Sequence, residues 1–213
     1  MNKQLMKTSP IRILVADDHY IVRMGLTAMV NLEPDMEIVA EASDGGQAVA
    51  LFTKFKPDIT LLDLRMPVIS GIDVALAIRR QDKNARILML SALSGDEDIH
   101  QALEAGVAGY VLKDATDEKL IPAIRAVAAG QRWIPPDVAK RLSSRRLFEE
   151  LTARELQVLN KLIKGVTNKQ IADALDISEN TVKGFLKNIL AKLHVSDRTE
   201  AVAVAIQRGI IHF

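Results

Sequence analysis

The 213-residue chain contains no cysteine. That excludes disulfide scaffolds, thiolate metal sites and cysteine nucleophiles, and leaves no sign of an oxidising compartment. Aromatic residues make up only 4%, with a single tryptophan, so any core must be aliphatic. No uncharged apolar run approaches the ~18 residues that span a bilayer, and the opening MNKQLMKTSP lacks the apolar stretch of a signal peptide. A cytoplasmic protein with no membrane partner is expected. What the chain does have is 48% hydrophobic residues, enough for a real core. At roughly 100 to 200 residues per domain, its length fits two small domains better than one.

The net charge of +1 conceals a split. Met1 to Gly130 carries 14 Lys+Arg against 18 Asp+Glu, a net −4, whereas Gln131 to Phe213 carries 14 against 9, a net +5. An acidic half joined to a basic half points to an anionic polymer as the partner of the second.

The first half alternates short aliphatic runs with helical patterns. The runs are Ile11 to Ala16, Glu37 to Ala42, Asp58 to Asp63, Arg86 to Ser91 and Gly109 to Lys113. Several are apolar almost throughout, as strands covered on both faces should be. The alternation predicts a five-stranded, parallel, doubly wound sheet of the flavodoxin-like type. After Gly130 a Pro pair and a basic, serine-bearing run form a linker with room for one short helix. The remainder shows no strand pattern. Capping boxes at Thr152/Glu155, Thr167/Gln170 and Asp197/Glu200, a further N-cap at Ser178, and Gly165 and Gly209 as helix stops predict four helices, at about 152–164, 168–175, 179–194 and 198–208. The expected organisation is 1–130, a linker at 131–149, and an all-α four-helix domain at 150–213.

In an open parallel sheet, reactive groups gather at the carboxyl ends of the strands. Here those ends carry Asp17 and Asp18, Asp63, Ser91 and Lys113. Three carboxylates sharing one pocket need neutralising, and a hard divalent ion with oxygen ligands, most simply Mg²⁺, does so. Asp63 stands alone at the end of a central strand and suits a nucleophile toward a phosphoryl group, while the Asp17 and Asp18 pair suits the metal. Lys113 and Ser91 would hold the phosphoryl oxygens. Any one of these residues could be an ordinary cap or loop residue, but five coinciding at strand ends argue for a site.

The strings ILVADDHYIVRMGL, DITLLDLRMPVISGIDV, LMLSAL and GYVLKD resemble the receiver domain of two-component response regulators across residues 10 to 130. The resemblance implies that a sensor histidine kinase phosphorylates Asp63. It also implies that Asp18, Asp63 and the backbone carbonyl of Arg65 coordinate Mg²⁺ while Asp17 supports the site. Ser91 and Tyr110 would form the switch pair, with Lys113 the phosphate partner. On phosphorylation Ser91 would move toward the phosphoryl group and the Tyr110 ring would turn inward. The alternative is a static, half-buried core tyrosine, the commoner fate of a lone tyrosine on a strand. Asp114, where many receivers have proline, is one departure. The positions two residues after Asp63 and two after Ser91 hold Arg65 and Leu93, neither suited to orienting a hydrolytic water, so a long-lived phosphorylated state is expected.

On a helix over Glu179 to His194, Val182, Leu186, Ile189 and Leu193 form an apolar stripe flanked by Phe185 and Leu190. Asn180, Lys183, Gly184, Lys187 and Ala191 occupy the opposite face, which is small, polar and basic and suits a DNA major groove. The sequence from Leu151 to Ile210, with TVK, NILAKL and SDRTEA, resembles the LuxR-type helix-turn-helix, and the two halves together resemble a NarL/FixJ-type response regulator. The resemblance implies that Lys183 and Lys187 enter the major groove and that Thr181 and Lys169 contact phosphates. Gly184 and Phe185 depart from the residues frequent there. The expected protein is a phosphorylation-controlled transcription factor, not an enzyme, that binds double-stranded DNA as a homodimer. Phosphorylation would release the recognition helix from restraint by the receiver. Two alternatives are a phosphorylation-independent DNA-binding regulator whose receiver is only an interaction module, and a phosphohydrolase of the haloacid-dehalogenase type. The second of these needs an Asp where Arg65 stands.

Overall fold

The structure is a computed structural model that describes residues 9–92, 95–113, 117–145 and 149–211. The chain divides into two compact units, Met1–Leu93 with Gln101–Val138, and Ser94–His100 with Ala139–Phe213.

The first unit is built on β1 (Ile11–Ala16), β2 (Met36–Ala42), β3 (Ile59–Asp63), β4 (Ile87–Ser91) and β5 (Gly109–Leu112). The strands pair in parallel in the order β2-β1-β3-β4-β5, the doubly wound topology expected from the sequence. Helices α1 (Tyr20–Asn31), α2 (Gly45–Phe55), α3 (Gly71–Gln81), α4 (Asp96–Glu104) and α5 (Asp117–Ala128) make the crossovers. β3 and β4 are buried at every position, which explains their unbroken apolar runs. Strand alternation sends Ile13, Val15, Ile59, Leu61, Leu88, Leu90 and Val111 to one face. There they form one core with Leu26 and Val30 of α1 and with Leu120, Ile124 and Val127 of α5. The only tryptophan, Trp133, packs on the edge of this core, and its carbonyl accepts the N–H of Tyr110 at 2.9 Å. Helix α6 (Pro136–Arg145) occupies much of the expected linker, with Pro136 at its first position, where a missing N–H costs nothing.

The second unit contains α7 (Ala153–Leu162), α8 (Asn168–Leu175), α9 (Glu179–Leu193) and α10 (Arg198–Gln207), within a residue or two of the boundaries read from the caps. Thr152/Glu155 and Thr167/Gln170 are reciprocal capping boxes, and Ser178 accepts the N–H of Thr181. The third expected box is not reciprocal. Asp197 accepts the N–H groups of Thr199 and Glu200, but the Glu200 carboxylate takes the N–H of Ser196 instead of that of Asp197. Gly165 and Gly209 adopt φ of 71° and 72°, the left-handed backbone of helix stops. Ala201 and Ala205 of α10 are fully buried in a core with Val158, Leu159, Ile171, Val182 and Ile189. That face of α10 is therefore used within its own domain.

Candidate functional sites

The carboxyl edge of the sheet gathers four of the expected side chains. Asp17 directly follows β1, Asp63 ends β3, Ser91 ends β4 and Lys113 follows β5. The Asp17 N–H is held by the Ala42 carbonyl at 3.1 Å, and the Lys113 N–H by the Ser91 carbonyl at 2.8 Å. Backbone pairing thus fixes the root of each side chain. At the N-terminus of α3, a Cβ on Gly71 would lie 2.0 Å from the Asp63 carbonyl oxygen. Only glycine lets α3 start against the backbone of Asp63.

Lys113 Nζ bridges two carboxylates, 2.6 Å from Asp17 Oδ2 and 2.8 Å from Asp63 Oδ2. Asp17 and Asp63 are both buried. Burial pushes the Asp63 carboxyl up to about 6, with the charge of Asp17 adding to the rise and Lys113 and the Arg65 amide opposing it. Burial works against the Lys113 ammonium too, but its hydrogen bonds to Asp17 and Asp63 leave it above its ordinary value. Asp17, Asp18, His19 and Asp63 each offer a ligand atom, all within 4.8 Å of one another.

His19 and Arg23 are the site residues missed in the sequence. His19 Nδ1 lies 2.7 Å from Asp18 Oδ1 and 3.4 Å from Asp17 Oδ1, and Arg23 Nη1 donates to the Asp17 carbonyl at 2.7 Å. Their signal was proximity alone, since both follow the Asp pair within a loop and the first turn of α1. Arg65 is exposed and Ser91 is buried. Tyr110 is fully buried on β5 beside Met89, so its ring already occupies the interior. Leu93 and Asp114 lie outside the described residues.

On α9, Val182, Ile189 and Leu193 are buried, with Phe185, Leu186 and Leu190 partly so. Asn180, Thr181, Lys183, Gly184 and Lys187 are all exposed, as is Lys169 on α8. α8 ends at Asp176 in left-handed conformation (φ 53°), producing the tight turn into α9. The Thr181 hydroxyl is engaged by Ser178 at 2.7 Å, and Lys183 Nζ lies 3.4 Å from Glu179. Around Gly184 a Cβ would meet nothing within 4 Å.

Residues 13–125 match the family described as the response regulator receiver domain, and residues 149–205 match the luxR family of bacterial regulatory proteins. The chain belongs to the NarL/FixJ-type response regulators. This regulator is 40% identical to the nitrate/nitrite response regulator protein NarP of Escherichia coli K12, over 95% of this chain and 97% of that one. It is 35% identical to the response regulator protein VraR of Staphylococcus aureus, over 94% and 99%. Among solved structures it is similar to the response regulator ChrA of a heme-sensing two-component system, with 38% identity, a TM-score of 0.59, and coverage of 96% of this chain and 100% of that one. The membership sets the hydrolase alternative aside: this is a regulator with a receiver and a LuxR-type DNA-binding domain. Among the described residues no helix is long and apolar enough to cross a membrane.

Proposed function

We propose that this regulator is switched by phosphorylation of Asp63, within a receiver spanning residues 1–130, and binds DNA through residues 150–213. The observation that carries the reading is the half-buried Lys113 ammonium held between the buried carboxylates of Asp17 and Asp63. An ionised Asp63 oxygen attacks the phosphorus of a phosphohistidine on the sensor kinase. The P–N bond breaks, an acyl phosphate forms, and the histidine nitrogen recovers a proton. With a small-molecule donor such as acetyl phosphate, the P–O bond breaks and acetate leaves. A carboxyl titrating at about 6 is mostly ionised at neutral pH, so no separate base is needed.

The clustered carboxylate oxygens of Asp17, Asp18 and Asp63 suit a hard divalent cation, and Mg²⁺ is the fitting one, with the Arg65 carbonyl as a further ligand. When bound it neutralises charge on the phosphoryl oxygens. Lys113 then shifts its hydrogen bond from carboxylate to phosphoryl oxygen, and Ser91 donates a second. With Arg65 two residues after Asp63, nothing there orients a hydrolytic water, and the phosphorylated state is long-lived. Phosphorylation favours a homodimer, which places two copies of α9 on adjacent half-sites. Lys183 and Lys187, with the small Gly184 between them and Asn180 one turn earlier, face the bases, while Lys169 and Thr181 meet phosphates.

Intact-mass measurement after incubation with acetyl phosphate and Mg²⁺ tests the reading. One phosphoryl group should add to the wild type and none to Asp63→Asn, and an adduct of equal yield in both would overturn it. The second reading, regulation without phosphorylation, draws on one observation, that the Tyr110 ring is already buried. It requires Asp63→Asn to bind DNA as the acetyl-phosphate-treated wild type does.

A further inference from the structure

At the opposite end of the sheet, where β4 and β5 begin, the first unit carries a cleft of about 650 Å³. Four of its eleven lining residues are cations, Arg79, Lys83, Arg86 and Arg132, and none is a carboxylate. α3, α4 and α5 all end on this side of the sheet, so some positive charge here offsets the carbonyl ends of the helices. Arg79 makes a bond within the protein: its Nη1 donates to the Ala85 carbonyl, in the turn between α3 and β4, at 3.2 Å. Lys83, Arg86 and Arg132 do not, since no hydrogen bond or salt bridge is formed by their side chains among the described residues.

The cleft is also shaped around its cations. Gly106 has φ of +85°, and a Cβ there would lie 2.8 Å from Arg79 Nε and 3.2 Å from Nη2. The glycine therefore leaves room for the Arg79 guanidinium close to the backbone. At the end of α3 the Asp82 carboxylate accepts the Asn84 N–H at 2.8 Å, which pins the turn that carries Lys83.

We propose that this cleft is a second ligand site, for a small anion rich in phosphoryl groups. Its size lies within the range of small-molecule pockets, and the guanidiniums of Arg86 and Arg132 offer paired N–H donors matched to phosphoryl oxygens, with Lys83 and Arg79 adding charge. No aromatic side chain lines it, so a stacked nucleobase is not part of the recognised group, and inorganic diphosphate is the minimal probe. The site is independent of Asp63, which stands at the other end of β3.

The test is titration of inorganic diphosphate into the full chain in chelator-treated buffer, followed by calorimetry. Saturable one-to-one binding is expected, weakened at least tenfold by Lys83→Gln with Arg132→Gln. Both side chains are exposed, so the fold survives their replacement. Asp63→Asn and a Lys183→Gln, Lys187→Gln pair should bind as the wild type does. Amide shifts at Gly106 and Val107 on titration would report the site directly. Absence of saturable binding, or binding undiminished in the Lys83/Arg132 variant, would overturn the proposal. So would equally tight citrate or sulfate at matched ionic strength, which reveals charge attraction alone, or displacement by duplex DNA in the Lys183/Lys187 variant, which makes the cleft a DNA contact.

Discussion

Lys192 Nζ lies 2.8 Å from Glu155 Oε2, joining α9 to the acid that caps α7. Glu155 is buried, and the same carboxylate oxygen accepts the Thr152 N–H at 2.7 Å and its hydroxyl at 3.0 Å. Lys192 also donates to the Glu150 carbonyl at 3.0 Å. Burial alone would raise the Glu155 carboxyl, but the hydrogen bonds from Lys192 and Thr152 outweigh it and leave the group below its ordinary value.

Lys192→Met should therefore destabilise the helical unit by about 2 kcal/mol at neutral pH, because it leaves a buried carboxylate short of its charged partner. The sign with pH is fixed. A depressed carboxyl stabilises above its unfolded pKa and loses that contribution as pH falls through its folded one. The gap between wild type and variant should be widest at neutral pH and close in acid. Denaturant unfolding followed by circular dichroism checks both points, and a gap that persists in acid would show that lost packing dominates.

Asp63 runs the other way. Its carboxyl is raised to about 6 by burial, with Asp17 adding and Lys113 opposing. Its contribution is complete below the unfolded carboxylate value and is lost as pH rises through about 6. In chelator, Asp63→Asn should stabilise the first unit at pH 8 by on the order of 2 kcal/mol and have little effect in acid. Mg²⁺ should narrow the difference by stabilising the ionised wild type. Trp133 packs on this core, so its fluorescence isolates the relevant transition.

The fold was legible because its signals are periodic and local: unbroken apolar runs for strands buried on both faces, and caps three residues from their partners. The carboxylate cluster was legible because strand ends in a parallel sheet converge by topology, so Asp17, Asp63 and Lys113 could be placed together without coordinates. Lys192 to Glu155 was not, since it joins residues far apart in sequence on two helices, and each already had a local explanation as a surface lysine or a capping acid. The inward Tyr110 and the Glu200 contact to Ser196 depend on side-chain choices between near-equal partners. No sequence pattern encodes those.

Val68 illustrates the same limit. It follows Pro67 in the loop after β3, has φ of 70° and is fully exposed, a strained backbone for a β-branched residue. Val68→Gly should stabilise the first unit by roughly 0.5 to 1 kcal/mol, the relief of strain being partly offset by the greater freedom of glycine in the unfolded chain. Thermal unfolding read at Trp133 gives the value, and a loss of stability would mean that the Val68 side chain makes a contact that matters.

Gly184 sits in the middle of α9 with open space around it. Gly184→Ala should raise the stability of the helical unit by about 1 kcal/mol, the propensity difference in a helix interior. The exposed methyl leaves Lys183 and Lys187 where they are. Unfolding of the variant beside the wild type is sufficient, and no gain would indicate that α9 frays at this position.

Lys183 has a competitor in its own helix. Its ammonium lies 3.4 Å from Glu179, one turn earlier, and both side chains are exposed, so the pair contributes little to stability. In the DNA-binding mode proposed above, the lysine would leave Glu179 for a base edge or phosphate. Lys183→Ala should weaken specific binding by about 1 to 3 kcal/mol if the lysine reads a base. Glu179→Gln should strengthen binding to specific and nonspecific DNA alike, because it frees the same lysine and removes a charge that repels phosphates. Gel-shift titrations of both variants at matched salt on cognate and scrambled duplexes separate the roles. If Lys183→Ala lowers both affinities equally, the lysine is a phosphate contact, and base reading passes to Lys187 and Asn180.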